Sequence, residues 1–154
     1  MFTVFTVFKF LHVASVIIWL GGVCTLTILN LRLSREQERS VLLALLNHSN
    51  FYGKAIVGPA IALTLIAGIA TAANVGYDFG SLWITWGFVA IFASLLLGVT
   101  LMRSVNGKLG KLVPVAEPGE PRLRALQGQL ATLNMINVLL LLSAVGAMVF
   151  KPTL

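Results

Sequence analysis

Four stretches of this chain contain no Asp, Glu, Lys or Arg. They run 22 residues between Lys9 and Arg32, 23 between Lys54 and Asp78, 24 between Asp78 and Arg103, and 26 between Arg124 and Lys151. A helix rises about 1.5 Å per residue, so about 20 residues cross the roughly 30 Å hydrocarbon core of a bilayer. Backbone groups in lipid must bond internally, which leaves only helices or a closed barrel. The run Leu139-Leu140-Leu141-Leu142 lacks the alternation of a barrel strand. The chain is therefore predicted to be an all-α, polytopic four-helix membrane bundle, a single transmembrane domain over 1–154. The predicted spans are about Phe5–Leu29, Ala55–Ala73, Leu82–Met102 and Leu130–Phe150. Charged residues supply only 10% of the chain, against roughly 25% in soluble domains. That excludes a soluble enzyme, a disordered regulator and a multidomain architecture.

The first apolar run is long for a signal sequence and has no basic segment before it, so it is expected to remain as a span. Gly21-Gly22 precede Cys24, yet the apolar character continues to Leu31. A lipoprotein site is not expected there. Cys24 is the chain's one cysteine, which is expected to pack within its helix.

The net charge is +6. Arg32, Arg35, Arg39 and Lys54 lie in the connection 30–54, and Arg103, Lys108, Lys111, Arg122 and Arg124 in the connection 103–129. The connection 74–81 carries only Asp78. Nine of the eleven basic residues therefore fall on one side. The positive-inside rule places both basic connections in the cytoplasm of a bacterial-type inner membrane and both termini outside. The excess charge serves topology and anionic headgroups rather than nucleic acid.

Ser34 and Gln37 have capping-box spacing. They predict a short helix between spans 1 and 2, lying at the inner interface or prolonging the second span. Asn47-His48-Ser49-Asn50 interrupt the apolar character, and Phe51 and Tyr52 suit the headgroup level. Pro59 is placed to kink the second span. Gly107, Gly110, Pro114, Pro118, Gly119 and Pro121 mark 103–129 as a turn-rich connection. Trp83 and Trp86 suit an aromatic belt at the outer surface.

An ionisable group inside a span is a functional candidate by default. His12 is that group, one or two turns from the outer end. Lys9, Ser15 and Trp19 fall near the same helical face. The imidazole is a candidate ligand for haem iron or copper, or a proton carrier. The competing reading is a neutral histidine hydrogen-bonded across helices. His48 lies on the opposite membrane side, so both histidines of one chain cannot clamp one haem. Met148 is near His12 in depth, and Met102 and Met135 are near His48. Thus His12, Trp19 and Met148 are the cofactor-binding candidates, with Lys9, His48, Asn134 and Asn137 as further ones. The two asparagines share a face of the fourth span. They read as interhelical hydrogen bonding or a polar lining. Small residues such as Gly21, Gly22, Gly68 and Gly128 permit close helix approach.

Phosphate-loop, zinc-protease and paired-cysteine motifs are absent, and all five acidic residues lie outside the spans. A proton pump built on a buried carboxylate is excluded.

The segment Lys9-Phe10-Leu11-His12-Val13-Ala14-Ser15-Val16-Ile17-Ile18-Trp19-Leu20-Gly21-Gly22 resembles the first helix of a family of small predicted integral membrane proteins. That resemblance extends over nearly the whole chain, including Arg32–Arg39, Gly58-Pro59 and Trp83/Trp86. Over residues 9–22 the pattern is also similar to the copper resistance protein D family and to the membrane-bound, haem-containing protoporphyrinogen oxidase family. The latter resemblance implies a haem-linked role for His12. That family also carries a lysine in its third helix. Residues 82–102 contain none, a departure from that family's pattern at the point where its activity would have to be carried over.

Two classes of function follow. One is a membrane protein binding haem b, or more weakly copper, with a redox or electron-transfer role centred on His12. The other is a non-catalytic accessory subunit of a larger membrane complex, or a homodimer, with no cofactor. A small metal or metabolite transporter is a third, less supported class.

Overall fold

A computed structural model describes residues 3–33, 38–117 and 120–152. The predicted cap at Ser34 and Gln37 lies outside the described residues. Among the described residues, four helices are long and apolar enough to cross a membrane. They are α1 (Val4–Leu33), α2 (Arg39–Val75), α3 (Leu82–Leu112) and α4 (Pro121–Phe150). The all-α four-helix architecture is thus established. Three boundaries differ from expectation, each because buried leucines and valines outweigh local signals.

Among the described residues no separate interfacial helix lies between spans 1 and 2; of the two expected arrangements, the helix that prolongs the second span is the one found. Residues 39–52 run through a π-helical turn, Gly53–Val57, into the second span. Leu42 is buried, with Leu43, Leu45 and Leu46 packed around it. Asn47, His48 and Asn50 are exposed and leave the helix unbroken. Pro59 follows the π turn. A proline lacks the N–H for the i−4 carbonyl and crowds it, and a wider turn absorbs that mismatch.

The turn-rich connection at 103–129 is also much shorter than predicted. The third helix continues through Gly107 and Gly110 to Leu112, and the fourth starts at Pro121. Each helical glycine costs about 1 kcal/mol relative to alanine. Val105 and Leu109 offset this by burial against Leu123, Leu130 and Leu133. Pro121 occupies the first turn, where its missing N–H costs nothing. A second π turn, Leu97–Met102, interrupts α3. There the Thr100 hydroxyl donates to the Leu96 carbonyl, a side-chain bond that competes with the helix ladder.

At about 1.5 Å per residue, the 37 residues of α2 and 31 of α3 exceed a roughly 30 Å core. Their basic ends project beyond it. There Leu42, Val105, Leu109, Val113, Ala116 and Leu123 form one core, tied by Arg39 donating to the Ala116 carbonyl at 2.6 Å. A second core within the bilayer joins Trp19, Val23, Ala60, Val138 and Leu141.

The helices pack around the bundle in the order α2–α1–α4–α3. The backbones of α2 and α3 come together at the basic end but stand apart toward the other end. Their link there is the turn after Val75. Gly76 takes the left-handed conformation (φ 73°) and closes α2. The Asp78 carboxylate then accepts the Gly80 N–H at 2.9 Å.

Candidate functional site

The gap between α2 and α3 opens onto a cavity of about 200 Å³. Its back wall comes from α1 and α4, through His12 and Met148. Its sides come from α2 and α3, including Thr64, Gly68, Ile84, Gly87 and Phe88. Lys9, Tyr77, Trp83 and Lys151 border it at the end nearer the termini. The lining is mostly aliphatic and aromatic, as in pockets that bury an apolar ligand around a few polar anchors.

His12 is held from two directions. Its Nδ1 lies 2.8 Å from the backbone carbonyl of Thr64. A carbonyl can only accept, so Nδ1 carries the proton and donates it. The Thr64 hydroxyl donates to Ser15 at 2.9 Å, and Ser15 donates to the His12 carbonyl at 2.9 Å. Ser15 and Thr64 are buried. The imidazole fits because residue 68 is glycine: a Cβ there would stand 2.9 Å from Cε1 and Nδ1 of the ring. The interhelical hydrogen bond anticipated for this histidine therefore exists, and it uses one nitrogen. Nε2 has no hydrogen-bond partner among the described residues. In neutral imidazole that nitrogen keeps its lone pair.

Met148 faces the same cavity, its methyl packed where a side chain on Gly87 would otherwise lie. Lys9 borders the cavity with its ammonium 5.7 Å from the Phe5 ring centre. Trp19 is elsewhere: it is buried in the bilayer core with Val23 and Leu141. His48 is exposed on the basic half of α2. Asn137 accepts from the Ser94 hydroxyl at 2.6 Å and links α4 to α3, whereas Asn134 donates to the Leu130 carbonyl of its own helix. The structure thus brings Lys9, His12 and Met148 to one cavity and leaves Trp19, His48 and the asparagines outside it. Met135 is exposed, and Met102 packs near the basic-end core.

Four cavity residues carry no signal in the sequence that marks them as site residues. Thr64 and Gly68 lie 52 and 56 positions from His12, so nothing local joins them. Tyr77 and Lys151 are equally hidden. Lys151 donates to the Tyr77 hydroxyl at 3.0 Å and sits over the Tyr77 and Trp83 rings at 4.8 and 5.2 Å. The two rings meet edge to face at 5.1 Å. Trp86 instead donates to Ser143.

Among the described residues, no three His, Cys, Asp or Glu side chains are grouped to hold a metal ion. The cavity offers one imidazole with Nδ1–H on a carbonyl, a thioether and mostly apolar walls. An apolar cavity of about 150 Å³ holds a benzene ring. The cavity here is of that order.

Residues 6–152 match the model of a family described as "Predicted integral membrane protein (DUF2269)". The match covers nearly the whole chain, and the protein belongs to that family. No curated protein and no solved structure matches the chain.

Proposed function

We propose that this family member is an integral membrane haem b protein in which His12 binds iron through Nε2. The carrying observation is the bond from Nδ1 to the Thr64 carbonyl. It fixes the tautomer and ring orientation and leaves Nε2 for a ligand. The resemblance of residues 9–22 to the haem-containing protoporphyrinogen oxidase family is consistent with this reading. Met148 is the candidate second donor from this chain. A haem held there would supply one-electron redox chemistry.

The chain's own residues define the rest of the reading. Ser15 and Thr64 hold α1 against α2, so the imidazole cannot turn without breaking a bond to backbone. Gly68 supplies its space. The open side between α2 and α3 gives access from the lipid phase. The basic end faces the cytoplasm by the charge rule, which places His12 toward the outer leaflet.

The test is the absorption spectrum of protein purified after haem-sufficient expression. A Soret band is expected in the wild type and in His48→Ala, lost in His12→Ala, and altered in Met148→Leu. A colourless wild type, or a band indifferent to His12, overturns the proposal. Orientation is tested in a Cys24→Ser, Lys108→Cys protein. An impermeant thiol reagent should label it only after the cells are opened.

A further inference from the structure

The border of the cavity carries two cations, Lys9 and Lys151, that have no ion-pair partner among the described residues. The nearby acid in sequence, Asp78, directs an oxygen to the Gly80 N–H. Lys151 is also held in place. It closes α4 in the left-handed conformation (φ 45°), rare for a residue with a side chain. Its ammonium rests on the Tyr77 hydroxyl and on two aromatic rings. Since Tyr77 accepts from lysine, its own O–H proton is free to donate.

The spacing along the helices builds two levels. His12 follows Lys9 by three residues, and Met148 precedes Lys151 by three. At about 1.5 Å per residue, each pair is separated by about one helical turn, or about 4.5 Å of depth. The neutral donors lie deeper in the bundle, and the cations lie nearer the end that carries the termini.

We infer that this cavity selects an amphiphile with acidic groups, holding its carboxylates at Lys9, Lys151 and Tyr77 while its apolar body enters the gap between α2 and α3. The inference deepens the haem reading, because haem b is a flat apolar body with carboxylates on one edge. A lysine that lacks an acid partner near the membrane surface attracts an anion from the interface, and a donor hydroxyl beside it adds direction. The carboxylate level is independent of the iron ligand.

That independence makes the test separable. Purified protein in neutral detergent is titrated with iron-free protoporphyrin IX and with its dimethyl ester, following porphyrin fluorescence. The free acid should bind at least about tenfold more tightly than the ester, a difference of about 1.4 kcal/mol. Lys9→Gln/Lys151→Gln should erase the preference, and Tyr77→Phe should reduce it. His12→Ala should retain it. Equal binding of acid and ester, no porphyrin binding, or a preference that survives in the double lysine variant overturns the inference. The haem proposal is judged separately, by whether the Soret band depends on His12. Circular dichroism of each variant, with retained helix content expected, keeps a folding defect from passing as lost selectivity.

Discussion

At the basic end, Val105, Leu109 and Leu123 are almost fully buried, and α2, α3 and α4 close on one another. At the opposite end the backbones of α2 and α3 stand apart, and Lys9, Tyr77 and Trp83 border a cavity. The same two helices thus make a solid core at one end and a divided wall at the other. Much of the contrast comes from the solvent. Beyond the hydrocarbon core, water drives leucine and valine together. Within lipid that drive is absent, and helices associate through packing and hydrogen bonds. A gap between α2 and α3 therefore costs little at the cavity end, where lipid or a ligand can fill it.

The contrast is most exposed to truncation at the basic end. Leu109→Ala should destabilise by about 2–4 kcal/mol, as leucine removal from a filled core does. Leu65 lines the cavity, and Leu65→Ala should cost less than half as much, because it enlarges a space already open. Unfolding in mixed micelles measures both. Equal costs would mean that the cavity end is as tightly packed as the other.

A smaller effect is expected at Gly68. Gly68→Ala places a methyl group against the His12 ring, an overpacking that costs about 1–3 kcal/mol. The bond from Nδ1 to the Thr64 carbonyl should be lost with it, visible in histidine nitrogen NMR as a redistribution of tautomers. An unchanged tautomer signal would show that the ring does not depend on that glycine. Smaller again is the link between α3 and α4. Asn137→Leu removes the acceptor of the Ser94 hydroxyl. Interhelical hydrogen bonds in membranes contribute about 0.6 kcal/mol, at most about 1.7, so a larger loss of stability would give Asn137 a role beyond that bond.

The spans were legible because charge is costly in lipid, and a run of more than twenty uncharged, apolar residues is rare outside a membrane span. His12 was legible for the same reason. The extension of α3 was not, and that of α2 only as one of two arrangements. Gly107, Gly110 and Asn47–Asn50 read locally as breaks, and only contact between distant leucines shows that the helix persists. Thr64 and Gly68 were silent as site residues. One acts through its backbone carbonyl as well as its hydroxyl, the other through an absent side chain, and neither leaves a motif. Trp19 shares a face with His12 on a helical wheel, yet two further turns carry it from the cavity into the core.

An effect of similar size has the opposite sign to that of Gly68→Ala. Gly107 and Gly110 lie in the helical extension of α3 with nothing within 4 Å of where a Cβ would stand. Alanine fits there without strain and lowers the entropy of the unfolded chain, so each change to alanine should stabilise by about 0.4–1 kcal/mol. The same glycine-to-alanine change at Gly68 should destabilise. The methyl group added is identical, and what differs is its neighbour: open space in one case and the His12 imidazole in the other. Helicity and unfolding midpoints of Gly107→Ala and Gly68→Ala, measured side by side, decide the point. Matching signs would mean that Gly68 is merely a flexible position in α2, and that the space it leaves is not what seats the histidine.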